Sequence, residues 1–160
     1  MSNKSSYSAE EWQIIFKAPP MAGLAITLAS PNGPFGVMKE MFAVGMALSD
    51  TLQKGSDNEL VKALIDDMKA RGTTPQRPEG IDSPEKARSA AMDALKALDE
   101  LLARKTTSEE AHGFKLWLHG IALKVAEASN EGGFLGFGGE KVSEAEKQAL
   151  AAIGQALHLA

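Results

Sequence analysis

The chain has 160 residues, 44% of them hydrophobic and 24% charged, with a net charge of −4. That length holds one ordinary domain, and that balance excludes a disordered or collagenous chain. With no cysteine, a disulfide scaffold, a thiolate zinc site and a cysteine nucleophile are all excluded. The acidic balance argues against a nucleic-acid binder, which normally presents a basic face.

The start, from Met1 to Ser8, has no apolar core, so no targeting segment is expected. The longest mostly apolar stretch, Met21 to Ala29, contains Gly23 and Thr27 and is too short to cross a bilayer. A cytoplasmic protein with no transmembrane segment is the expectation.

Helix starts punctuate the chain. The S/T-x-x-E pattern recurs at Ser8/Glu11, Ser56/Glu59, Thr107/Glu110 and Ser143/Glu146, where a hydroxyl serves first-turn amides and the glutamate reaches back. Ser83-Pro84-Glu85 adds a start with proline at the first helical position. Pro19-Pro20 is expected to break the first apolar run and open a new helix. Seven helices follow, at about 9–17, 20–30, 36–53, 57–70, 84–104, 108–130 and 144–158.

Apolar spacing supports three of them as amphipathic. The stripes are Met38, Met41, Gly45, Leu48 and Leu52; Ala87, Ala91, Ala94, Leu98 and Leu101, widened by Leu95 and Leu102; and Ala111, Phe114, Leu118, Ile121, Val125 and Ala128. The methionines Met38, Met41 and Met46 are read mainly as core filling. The acidic pairs Asp66-Asp67 and Asp99-Glu100 are read as solvated surface opposite an apolar face. The fold class is therefore all-α: one domain over 1–160, with halves 8–71 and 83–158 joined by the Pro/Gly connector 72–82.

The halves share a weak internal repeat. At an offset of 99 residues, Leu24, Ala29, Ser30, Gly33 and Phe35 match Leu123, Ala128, Ser129, Gly132 and Phe134, and Ile26 meets Val125. Beyond a seven-residue insertion, Glu40 and Ala43 match Glu146 and Ala149. Each copy reads as a helix, a glycine-rich loop with phenylalanine, then a helix with an early glutamate.

The most distinctive segment is 131–143, where five glycines interleave with Phe134, Leu135 and Phe137. Three readings stand side by side: apolar side chains tucked against the bundle end, an exposed finger for a protein partner or membrane surface, and a phosphate cradle. The third lacks a G-x-x-x-x-G-K-[ST] pattern and a preceding strand. Phe134 is expected in the core. Leu135, Phe137, Gly136, Gly138 and Gly139 are the partner-contact candidates.

His112 and His119 lie seven apart beside Glu109 and Glu110, which suggests half of a metal site in a bundle. No H-E-x-x-H motif accompanies them, and partly exposed helix residues explain them as well. No nucleophile elbow, triad cue or nucleotide fingerprint is found, so neither catalysis nor a cofactor is expected.

The run Val125-Ala126-Glu127-Ala128-Ser129, then Gly132, then Val142-Ser143-Glu144-Ala145-Glu146 resembles the TerB-like (tellurite-resistance) helical family. The resemblance implies an all-α fold built from paired units. Ser30 and Ser129 stand where that family has an aspartate, so its metal binding is not implied at those positions; Glu40 and Glu146 persist. The stretches Lys17-Ala18-Pro19, Ser30 to Gly36 and Gly132 to Glu146 also resemble an uncharacterised family of small bacterial helical proteins. The expected function is a non-catalytic interaction or stress-associated module with an unknown protein partner. The alternative is metal or small-molecule binding between helices, drawing on His112, His119, Glu40 or Glu146.

Overall fold

The computed structural model describes residues 2–29, 34–72, 83–130 and 142–159, with the side chains of 34–42, 129 and 130 left aside. Within these residues the chain forms a 3-10 turn at Lys4–Ser6 and six helices: α1 (Ala9–Thr27), α2 (Pro34–Lys54), α3 (Glu59–Arg71), α4 (Pro84–Lys105), α5 (Ser108–Asn130) and α6 (Glu144–Ala156). No strand occurs among the described residues. The all-α bundle is as expected, with six helices in place of seven.

The count differs because Pro19 and Pro20 lie inside α1 and do not end it. Neither can donate to the carbonyl four residues back, so Ile15 and Phe16 lose their helical donors. Burial holds the axis through this weak point. Ala18, Pro19, Met21 and Ala22 are all buried around the two prolines. α1 packs on α4, α5 and α2 at once, so bending it there would strip apolar surface from three neighbours.

Capping explains the other boundaries. Ser8 and Ser143 form complete capping boxes with Glu11 and Glu146. Ser83 accepts from the Lys86 amide, with Pro84 opening α4. The start of α3 is corrected: Asn58, not Ser56, is the cap, accepting from the Val61 amide at 3.1 Å, while Ser56 Oγ accepts from the Asn58 amide. Ser143→Ala should cost about 1–2 kcal/mol, because it removes an acceptor for the Glu146 amide and a donor to the fully buried Glu146 carboxylate. Urea melts that overlay the parent would show that the cap carries nothing.

One apolar cluster contains buried side chains from all six helices, including Trp12, Val44, Leu60, Leu98, Phe114 and Ile153. The α4 and α5 stripes are buried as read, with Ala94 and Ala128 only partly so. The α2 stripe is corrected at Leu52; Leu48 is buried as read, and the side chains of Met38 and Met41 lie outside the described residues. Its buried side is Ala43, Val44, Ala47 and Leu48, while Leu52 and Met46 face outward. Gly23 sets the approach of α2 to α1, since a Cβ there would stand 2.6 Å from Val44 Cγ2. Valine is stiff at χ1 and cannot swing away cheaply. Overpacking of about 1–3 kcal/mol, less the roughly 1 kcal/mol that alanine gains over glycine in a helix, leaves Gly23→Ala destabilising by up to about 2 kcal/mol. Thermal melts should show the loss shrinking in a Val44→Ala background.

Candidate functional site

Three of the four residues proposed for metal binding, His112, His119 and Glu146, have described side chains. His112 stands exposed on α5. The His119 ring instead turns to α6, its Nε2 3.2 Å from the Leu150 carbonyl oxygen and its edge 3.9 Å from a Cβ built on Gly154. Glu146 is fully buried, with its Oε2 2.8 Å from both the amide and the hydroxyl of Ser143. Glu40 lies in α2, but its side chain, like the candidates Leu135, Gly136, Phe137, Gly138 and Gly139 and the core candidate Phe134, lies outside the described residues. Among the described residues no group of three or more His, Asp or Glu side chains is placed to hold a metal ion.

The acids read as solvated are corrected in part. Asp66 and Glu100 are exposed, but Asp67 and Asp99 point inward and tie elements together. Asp67 Oδ1 takes the Lys4 ammonium at 2.7 Å; its Oδ2 takes the Trp12 indole N–H and Arg71 Nε, each at 2.8 Å. One carboxylate thus joins the N-terminal turn, α1 and α3. Burial pushes the Asp67 carboxyl up, and the donors from Lys4, Trp12 and Arg71 outweigh it, leaving it below the ordinary carboxylate value. The Arg71 guanidinium also lies 4.8 Å over the Phe16 ring.

Asp99 does the same for α4, α5 and the C-terminal end. Its Oδ1 is closely paired with the Lys115 ammonium, and its Oδ2 lies 2.7 Å from His158 Nδ1. Desolvation raises the Asp99 carboxyl, but Lys115 and His158 hold it below the usual range. Because the carboxylate is ionised, Nδ1 is the donor in that contact. His158 sits at φ 49°, in the left-handed region. It occupies the position after the C-cap of α6, where the Leu159 amide donates to Gly154 O and the His158 amide to Gln155 O. Glycine normally fills this place in such a helix end; here the bond to Asp99 supports a histidine instead.

Glu110 departs from its expected capping role. Thr107 Oγ1 accepts from the Glu110 amide as read, but the carboxylate turns to the amide and hydroxyl of Ser2. The nearby Tyr7 hydroxyl is buried without a hydrogen-bond partner of good geometry, and burial, with Glu110 and Glu11 close by, holds the phenol above its ordinary value. A cleft of about 360 Å³ opens between the starts of α3 and α5, lined by Asp57, Asn58, Glu59, Thr107, Glu109, Glu110 and Gly113. The Asn58 amide bridges it by donating to Glu110 O at 2.8 Å. Carboxylates there sit in the first turns of two helices, where the helix dipoles favour them.

The outward apolar side chains form the remaining candidate. Met46 is 59% exposed, Leu116 52% and Leu123 39%. Leu116 and Leu123 lie seven residues apart on α5, on the side opposite Phe114, Leu118 and Val125. Gly120 lies between them, and a Cβ there would meet nothing within 4 Å. α2 flanks this face through Trp117 Nε1–Thr51 Oγ1 at 2.9 Å and Lys124–Asp50 at 2.8 Å; α6 flanks it through His119. No helix among the described residues is long and apolar enough to cross a membrane.

Comparison with protein-family models, with curated proteins and with solved structures finds no match to this chain.

Proposed function

We propose that this chain is a non-catalytic helical interaction module that docks an apolar helix on the outer face of α5. The observation that carries the reading is the pair Leu116 and Leu123, half exposed two turns apart with the open Gly120 between them. Two leucines on one outward stripe with a glycine gap offer knobs and a hole to a second helix. They contribute little to the core, which leaves their outer surfaces available to a partner. The inward acids have scaffold partners: Asp67 and Asp99 hold helices together, and Glu110 holds Ser2. Distant kinship with the TerB-like family and an internal duplication belong to the same proposal. Full burial of both Ile26 and Val125, paired by the 99-residue offset, suits a duplicated scaffold.

The test is a photo-crosslinking amino acid placed at Leu123 in living cells, against a control at the exposed Arg88 of α4. A discrete adduct from position 123 and none from position 88 is the expected result. No adduct above the control at 123 would sink the reading. Leu116→Glu, with the cross-linker kept at position 123, should abolish adduct formation while moving stability by under about 0.5 kcal/mol.

A further inference from the structure

We infer that the helix received by this face is α5 of a second copy of the chain, paired antiparallel about a twofold axis that passes between His119 and Gly120. The inference rests on the docking reading and names its occupant. His112, Leu116, Gly120, Leu123 and Glu127 follow one another at steps of four, four, three and four, so they form a single stripe along the helix. That stripe is nearly palindromic. An isologous contact requires each residue to meet its own mirror position on the same patch. Antiparallel pairing about that point places Leu116 against Leu123 of the second copy, twice, and leaves the two glycines one residue apart along the crossing. With no Cβ and open space above them, the backbones can approach closely there.

The charges fit the same register. The exposed His112 comes opposite Glu127 of the second copy, again twice, so the stripe ends in acceptor–donor pairs. In parallel pairing, His112 would face His112 and Glu127 would face Glu127. The lysines that flank the stripe are already neutralised within each copy, Lys115 by Asp99 and Lys124 by Asp50. Met46 widens the apolar patch from the neighbouring helix. It lies one turn before Asp50 on α2, and Asp50 is bonded to Lys124, next to Leu123. The apolar area on offer is that of two leucines and one methionine per copy, so the contact belongs with small, reversible interfaces below roughly 1,200 Å².

The absence of cysteine makes the test clean. Single cysteines are introduced at Gly120, Leu116, Leu123 and the control position Arg88 of the full chain, with far-ultraviolet circular dichroism confirming the fold. Under mild oxidation, Gly120→Cys should form a disulfide dimer roughly tenfold or more faster than Arg88→Cys. A mixture of Leu116→Cys and Leu123→Cys should favour the mixed disulfide over either like pair. In sedimentation equilibrium the parent should self-associate reversibly, and Leu116→Glu should weaken it by roughly tenfold or more, the order expected for burying a charge in place of an apolar side chain. Like pairs forming as readily as mixed ones, or Gly120→Cys oxidising no faster than Arg88→Cys, would overturn the inference. If the in-cell adduct at position 123 then has a mass other than twice the chain, self-pairing fails while the docking reading stands.

Discussion

Asp99→Ala is expected to destabilise the protein by about 3 kcal/mol, among the largest losses available to a polar position in this chain. The reason is the charge left behind. The Lys115 side chain is only 12% exposed, and removing its counter-ion strands an ammonium in a poorly solvated place; breaking buried pairs costs about 3–5 kcal/mol. Asp99 retains some contact with solvent, which puts the value at the low end. Three comparisons make the argument specific. Glu100→Ala, at the exposed neighbour, should change stability by under about 0.5 kcal/mol. Lys115→Met added to Asp99→Ala should recover much of the loss, since it removes the stranded charge. His158→Gly relieves the left-handed residue but gives up the bond to Asp99, so it should cost far less than Asp99→Ala. Chemical melts of the four variants decide the matter.

The same carboxylates set the response to acid. Asp99 and Asp67 both ionise below their ordinary value in the folded state. Their contribution is therefore fully present above the unfolded aspartate value of about 3.9 and is lost as pH falls through the lower folded value. Stability should be nearly flat for these groups from neutral pH down to about 5 and fall below about 4. Asp99→Asn should lower stability at neutral pH yet flatten the fall in acid. An acid limb as steep in the variant as in the parent would show that Asp99 is not one of the titrating groups.

Where the fold was legible in the sequence, local chemistry and tertiary packing agreed. Ser83-Pro84, Thr107 and Ser143 each mark a helix start, and the leucine-rich stripes of α4 and α5 face the core because no other side of those helices is apolar enough. The prolines of α1 misled because local propensity was overruled by burial on both sides of them. In α2 the spacing picks out Leu48, which is buried, but also Leu52, which points outward, and it passes over the small Ala43, Val44 and Ala47 that complete the buried side. The inward acids had a signal that went unused. Asp99 falls four residues after Leu95 and three before Leu102, inside the α4 apolar stripe, and Asp67 stands three after Leu64 and four before Arg71. A carboxylate in core register implies a donor waiting across the interface. The identity of that donor, Lys115 in one case and the Trp12 indole in the other, depends on which helices meet, and no local pattern carries that. The α5 face was hidden for a similar reason: Leu116 and Leu123 read as ordinary apolar helix residues until the neighbours of each side of α5 are known.

Trp12→Ala is expected to bring the protein close to unfolding, with a loss of about 4–5 kcal/mol. The indole is fully buried, 5.8 Å from the Tyr7 ring, and donates to Asp67. Deleting it opens a cavity between α1, the N-terminal turn and α3, and truncations of this size typically cost about 3–5 kcal/mol. It also takes one of three donors from a largely buried carboxylate. Trp12→Phe separates the two effects. A phenyl ring keeps most of the packing but has no N–H, so its loss should be about 1.5–3 kcal/mol, the range for a hydrogen bond to a charged group. Asp67→Asn measures the other side of the bond while leaving Lys4 and Arg71 without their ion pair. If the indole N–H and the carboxylate interact as the 2.8 Å contact implies, the double variant Trp12→Phe/Asp67→Asn will be less destabilised than the sum of the singles by about 1 kcal/mol. Strict additivity would show that Trp12 is held by packing alone. Asp67 would then join the N-terminal turn to α3 through Lys4 and Arg71, with α1 positioned by its apolar face.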